Sequence, residues 1–376
     1  MKFYKADCSF FSGEKPCAPN KSHGAICISC TQYQPISMCI LIIKLAAVGD
    51  VLRTTAILPA LKSKYPKSSI WWITAPQSKD ILKKNPYIDL ILDTNANFFK
   101  FVKFSIAFNF DMSREASAIL METQASIKKG FSLSKYGSVI PADSKSERWF
   151  KMGITDEIKK KNTKTYQEHI FYISGLSYKR EKPQINLDLM DRQKANHFYK
   201  KFKLNSYKKI LGLNIGAGTR WPMKKWTFDG FVYLAKKIKN KYPNVGILIY
   251  GGPDEQEIIP KYLKTLKDKV ISTGTDNSLR EFAALVDLCQ VLVTGDTLAL
   301  HIGVALNKRV VAYFGPTADA EIDLYDRGEK LRSEILCPDF YMDKCSQQFT
   351  CMDHLTGETV FKSVERQLNF ADQERN

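Results

Sequence analysis

Apolar and polar positions along the chain fall into two regimes. Residues 1–35 have almost no apolar periodicity and are rich in Cys, Pro, Gly and Lys, so hydrophobic burial alone cannot order them. From residue 39 the pattern changes. A continuous apolar run (Cys39-Ile40-Leu41-Ile42-Ile43) gives way to a small-residue loop (Ala46-Ala47-Val48-Gly49-Asp50). Val51, Leu58 and Leu61 then share one helical face. That is strand, tight loop, helix. Further apolar runs at 70–74 and 90–92, each preceded by a proline break, predict parallel strands of a doubly wound sheet.

The C-terminal half alternates in the same way. Strands are expected at 210–215, 246–250, 270–273, 291–294 and 310–314, with helices at 228–239, 254–266, 278–288 and 297–306. Residues 95–205 are aromatic-rich, then basic and weakly periodic, and yield no placed elements. The patterning therefore predicts an α/β chain: an arm over 1–36, an N-terminal Rossmann-like domain over 37–206, a C-terminal one over 207–355 and a helix or tail over 356–376. Ligands of such sheets bind at the carboxyl ends of the strands.

Composition agrees with a folded protein: 376 residues, 44% apolar and 25% charged, enough for two cores. The apolar run at 36–43 is far short of a membrane span, and Asp7 interrupts any signal-like start, so a cytoplasmic chain is expected. The formal charge of +17 favours anionic partners such as phosphorylated substrates, acidic headgroups or nucleic acid. No nucleic-acid module accompanies the lysines, so no nucleic-acid partner is expected.

Nine cysteines in a reducing compartment call for a reason other than disulfides. Cys8, Cys17, Cys27 and Cys30 crowd the first 30 residues, ending in a Cys-x-x-Cys pair, and Cys337, Cys345 and Cys351 lie near the end. The first four suit a structural zinc site; an iron–sulfur cluster, a redox pair or unligated thiols are the alternatives.

Four loops follow predicted strands and should converge on ligand-binding edges. They are 48–50, the Gly216–Trp226 stretch GAGTRWPMKKW, 251–255 (GGPDE) and 295–301 (GDTLALH). Gly216 and Gly218 would let backbone approach a phosphate, and Arg220, Lys224 and Lys225 supply cations for a diphosphate. Asp296 and Thr297 open a helix whose first N–H groups can hold an anion. Plainer roles stay open: a turn for the glycines, an N-cap for Asp296 or Asp50, a core or surface histidine for His301, and a solvated first-turn carboxylate for Glu255.

In order and spacing, 42–51 (IIKLAAVGDV), 216–226, 251–255, 295–301 and 313–317 (YFGPT) resemble glycosyltransferase family 9, the lipopolysaccharide heptosyltransferases. The resemblance implies a GT-B architecture of two Rossmann-like domains facing a central cleft. It further implies an ADP-heptose donor, inversion at the sugar carbon, no catalytic metal, and a glycan or glycolipid acceptor of lipopolysaccharide type. A peripheral contact with the anionic inner-membrane surface would fit the basic charge. Carried over by motif, Asp50 is the general base, Lys224 contacts the donor phosphates, Glu255 reaches the ribose, and Asp296, Thr297, Leu298 and His301 bind the diphosphate side. Leu298 stands where the family carries glycine, and residues 1–35 lie outside the family core. A nucleotide-sugar epimerase of the same shape is the runner-up reading, and a basic nucleic-acid-binding protein the third.

Overall fold

The run Met38–Ile43 folds as strand β1 and pairs in parallel with β2 (Ser68–Thr74), which pairs with β3 (Leu90–Asp93). On its other side β1 pairs with β4 (Phe104–Asn109), which pairs with β5 (Ala125–Leu133). A short antiparallel β6 (Val139–Pro141) ends the sheet, in the order β3-β2-β1-β4-β5-β6. The computed structural model describes residues 3–218, 222–335, 340–342 and 344–373. Two compact units divide the chain: 1–154 with 167–181, and 155–166 with 182–376.

The second unit has its own six-stranded parallel sheet. Strands β7 (Lys209–Asn214), β8 (Val245–Tyr250), β9 (Ile271–Ser272), β10 (Val291–Gly295), β11 (Arg309–Phe314) and β12 (Gly328–Arg332) run in the order β12-β11-β10-β7-β8-β9. Every residue of β8, β10 and β11 is buried, as continuous apolar runs covered on both faces require. Helix Phe228–Lys241 begins at Thr227, whose hydroxyl accepts from the Gly230 N–H, and lays Phe231, Leu234, Ala235 and Ile238 on this core. Both sheets reverse direction beside their first strand, between β1 and β4 and between β7 and β10, as in doubly wound nucleotide-binding folds.

The limit between the two domains expected from polarity differs from the division of the chain into units. The polar stretch near 205–208 is only the turn before β7. Helix Leu189–Lys201, upstream of it, belongs to the second unit. Arg280 holds Asp191 through hydrogen bonds of 2.7 and 2.5 Å, and Arg192 pairs with Asp287. Of the helix or tail expected over 356–376, the described residues form a helix that packs into the second unit. Helix Gly357–Gln373 buries Val360, Phe361, Val364 and Leu368 in the same core as Leu211, Val293 and Val311.

Candidate active site

In the first unit the chain leaves β1 at the switch point and enters helix Val48–Thr54. Ala47 is the N-cap, so the N-cap alternative for Asp50 does not hold: Asp50 lies inside the first turn, where the helix dipole favours a carboxylate. Its Oδ1 accepts from Arg53 Nε at 3.0 Å and pairs with Nη2 at 2.9 Å, while Lys44 Nζ stands 3.8 Å from Oδ2. The Asp50 side chain keeps 32% of its exposure, so it faces solvent while cations flank it.

Asp111, just past β4, organises this loop. Its Oδ2 accepts from the N–H groups of Leu45 (3.1 Å) and Ala46 (3.2 Å) and from Lys44 Nζ (3.3 Å). Asp111 is itself fixed by Asn109, whose Oδ1 accepts from the Asp111 N–H at 2.9 Å. Asn109, Asp111, Lys44 and Arg53 were not singled out by sequence reasoning. Lys44 does lie within the 42–51 motif, whereas Asp111 follows a phenylalanine-rich stretch that carries no motif.

In the second unit three of the expected loops meet at one edge. Asn214, the last residue of β7, donates to the Gly216 carbonyl (2.9 Å), Thr294 Oγ1 (3.0 Å) and Thr297 Oγ1 (3.3 Å), tying the loop after β7 to the loop after β10. Lys224 Nζ donates to Asp296 Oδ2 at 2.7 Å and to the Asp296 carbonyl at 3.2 Å. Thr297, not Asp296, is the N-cap of helix Leu298–Ala305, so the cap alternative for Asp296 also fails. The Thr297 hydroxyl is spent on Asn214 and Thr294 and makes no side-chain cap. Half-buried Leu298 opens this helix, and half-buried His301 sits one turn on.

Glu255 is 3% exposed, not a solvated first-turn carboxylate. Its Oε2 accepts from the Gly252 N–H at 3.0 Å and its Oε1 from Lys225 Nζ at 2.8 Å. A Cβ on Gly216 would lie 2.6 Å from Glu255 Oε2, so only glycine allows this approach. Gly218 turns the loop at φ +70°, a conformation that also favours glycine. Arg220 lies outside the described residues.

Beside this edge is a cavity of about 440 Å³ lined by Ile215, Lys225, Trp226, Phe228, Ile258 and Tyr262 and by three acidic residues, Asp254, Glu255 and Glu257. Trp226 itself is mostly core, its indole N–H bound by the Leu355 carbonyl at 2.9 Å. Burial, helped by the charge of Asp229, raises the Tyr262 phenol pKa and keeps it neutral. The cavity thus offers aromatic and aliphatic walls for a flat apolar ring and carboxylates for hydroxyls, and in the adjoining loops Lys224, held by Asp296, stands at the start of the helix capped by Thr297. The apolar lining residues Phe228 and Tyr262 escaped sequence reasoning because helix packing accounts for them equally well.

The motif description "Glycosyltransferase family 9 (heptosyltransferase)" matches residues 102–348, more than half of the chain. Lipooligosaccharide heptosyltransferase 2 of Campylobacter jejuni is 27% identical over 170 residues, 43% of this chain; the chain spans about half, 52%, of that relative's length. Among solved structures, a family 9 glycosyltransferase from Veillonella parvula superposes with a TM-score of 0.70 at 20% identity, over 89% of this chain and 98% of that one. The E. coli ADP-heptose lps heptosyltransferase II superposes with a TM-score of 0.66 at 17% identity, over 90% and 100%. These likenesses fix the fold as GT-B type with two parallel-sheet units. By its sequence match and its fold, this chain belongs to glycosyltransferase family 9.

Proposed function

We propose that this chain is an inverting glycosyltransferase that moves heptose from ADP-heptose to a lipopolysaccharide-type acceptor. The observation that carries the reading is the second-unit edge, where Lys224, Asp296 and the start of helix Leu298–Ala305 adjoin a cavity of nucleoside size holding buried Glu255. The names of the Campylobacter and E. coli relatives support the sugar and the acceptor class.

In this reading the adenosine occupies the cavity, with Glu255 accepting from ribose hydroxyls. Lys224 and Lys225 face the diphosphate, with Gly216 and Gly218 giving it room, and Arg220 is a further candidate cation by its place in the sequence motif. The N–H groups at Leu298 and its neighbours stabilise the charge that gathers on the leaving diphosphate as the glycosidic bond breaks, with Thr297 and His301 on the same side. Asp50, on the acceptor side, removes the proton of the attacking hydroxyl; direct displacement needs one such base and no covalent nucleophile. Lys44 and Arg53 flank its carboxylate, and Asp111 positions the loop that carries it. This chemistry asks for no catalytic metal.

Among the described residues no helix is long and apolar enough to cross a membrane. A basic surface meeting anionic lipid from the cytoplasmic side is how a membrane-borne acceptor would be reached. The test is product analysis with ADP-heptose and a lipopolysaccharide-type acceptor. ADP released in step with new glycoside, of inverted anomeric configuration, is the expected result. An altered sugar without ADP release would instead identify an epimerase.

A further inference from the structure

The segment ahead of β1 lacks the burial that orders both sheets. Of residues 3–36 only Cys8 and Pro19 are buried, while Ile26 and Ile28 are largely exposed. It is nevertheless folded. Helix Ala18–His23 is closed by Gly24 in the left-handed region, a 3₁₀ turn spans Cys27–Ser29, and Cys8 pairs across a β-bridge with Pro35. The Ser9 N–H donates to the Gln34 carbonyl at 2.9 Å and the Ile36 N–H to the Asp7 carbonyl at 2.7 Å, folding the arm back on itself just before β1.

These turns carry Cys8, Cys17, Cys27 and Cys30 to the walls of one cavity of about 20 Å³. None of the four is in a disulfide. A void of that size holds little more than one water-sized sphere, which suits an ion better than an organic ligand. Lys5 lines the same cavity and lies over the Tyr33 ring at 4.1 Å, placing a cation beside the thiols. Among the described residues no three ligand-type side chains stand in metal-binding arrangement, so coordination by these thiols would require their side chains to turn into the cavity.

We infer that Cys8, Cys17, Cys27 and Cys30 bind one structural zinc ion, and that this ligation supplies the cohesion the arm lacks. Soft thiolates select zinc among the common divalent ions, and Cys27 and Cys30 flank a tight turn with the two-residue gap usual for zinc ligands. On binding, each thiol releases its proton to solvent and forms one S–Zn bond while the ion sheds its water. The resulting site carries net negative charge, which Lys5 offsets. The arm lies outside the family match and outside both sheet cores, so the inference stands apart from the transfer reaction.

The experiment uses the full chain, stripped of metal by a chelator and titrated first with Co²⁺ and then with Zn²⁺. The expected result is the visible spectrum of tetrahedral cobalt–thiolate, saturating at about one equivalent and displaced by Zn²⁺. Protease should cut within residues 1–36 of the stripped protein and spare the metal-loaded one. The double variant Cys27→Ser/Cys30→Ser should lose spectrum and protection, whereas Cys39→Ser and Cys345→Ser keep both. Cooperative melting of the double variant near the wild-type temperature shows that the sheets remain folded. Absence of a thiolate spectrum at saturating metal, an undiminished spectrum in the double variant, or iron–sulfur absorption in the isolated protein overturns the assignment.

Discussion

Lys224 Nζ sits 2.7 Å from Asp296 Oδ2 and 3.2 Å from the Asp296 carbonyl, so a single ammonium fastens the loop after β7 to the entrance of the helix after β10. The ion pair fixes the cation before any diphosphate arrives. Lys224→Ala should lower kcat by roughly 10²-fold or more, the scale of losing one positioned electrostatic partner, with a smaller change in ADP affinity. Steady-state transfer kinetics beside nucleotide titration check it. Wild-type kinetics in the variant would move the phosphate role to Lys225 or Arg220.

Asp50 is not a cap, and an amide in its place can still accept from Arg53 through its oxygen. Asp50→Asn keeps the size and loses the base. It should melt near wild type, bind ADP normally, and transfer sugar about 10²-fold more slowly or worse. Close to wild-type transfer would place the base elsewhere in the first unit.

Asp111 accepts two loop N–H groups as well as Lys44, which is only 5% exposed. Asp111→Ala removes one of the carboxylates paired with buried Lys44 and takes the acceptor from two loop N–H groups, so a loss of about 3 kcal/mol in unfolding free energy is expected. Asp111→Asn, which keeps an acceptor, should lose less. Denaturant titration separates the two, and equal stability for Asp111→Ala and wild type would rule out the anchoring role.

Gly216→Ala tests the close approach in the second unit. The new Cβ would lie 2.6 Å from Glu255 Oε2, so the carboxylate must shift and its bond with Lys225 loosens. ADP affinity should fall by about tenfold or more, the worth of one good hydrogen bond to a charged group, while the fold persists. Unchanged affinity by calorimetry would separate Glu255 from the ribose.

Acid should weaken the anchorage of helix Leu189–Lys201. The hydrogen bond from Arg280 holds the Asp191 pKa below its ordinary value. Burial by itself would raise Asp287, but Lys308 and Arg192 outweigh it and leave that pKa lowered too. A carboxyl depressed in the folded state stabilises fully above its unfolded pKa of about 3.9 and loses that contribution as pH falls through the folded value. Melting temperature should therefore be insensitive to these groups from pH 7 to about 5 and decline below about 4. Asp191→Asn/Asp287→Asn should melt lower at pH 7 and decline less steeply in acid. Parallel curves would show that neither pair contributes.

Strands β7, β8, β10 and β11 were legible because each is a bounded apolar run buried on both faces, and β1 and β2 were legible for the same reason. The loop residues Gly216, Lys224, Glu255, Asp296 and Thr297 were legible because glycine and charge directly after such runs leave few positions open. Strands β4 to β6 were hidden. Phenylalanine spacing in 98–110 mixes the exposed Phe98 and Phe101 with the buried Phe99, Phe104, Phe108 and Phe110, which blurs any period. The unit boundary was hidden for a different reason. Arg280–Asp191 and Arg192–Asp287 are ion pairs between distant positions, and such pairs leave no periodic trace. Asp111 was hidden because its partners are backbone N–H groups, which every sequence has.

Residues 155–166 lie before the last part of the first unit, yet they belong to the second; the Tyr166 N–H donates to the Glu321 carbonyl at 3.0 Å. During synthesis that segment therefore emerges long before its partner exists. Domains generally fold as units from the N-terminus, and here the first unit can close around 167–181 while 155–166 waits as an unpaired excursion. Its docking must follow translation of the β11–β12 region, a long-range closure made late. A ribosome-stalled chain ending before residue 321 would then carry a finished first unit and a protease-sensitive stretch inside it.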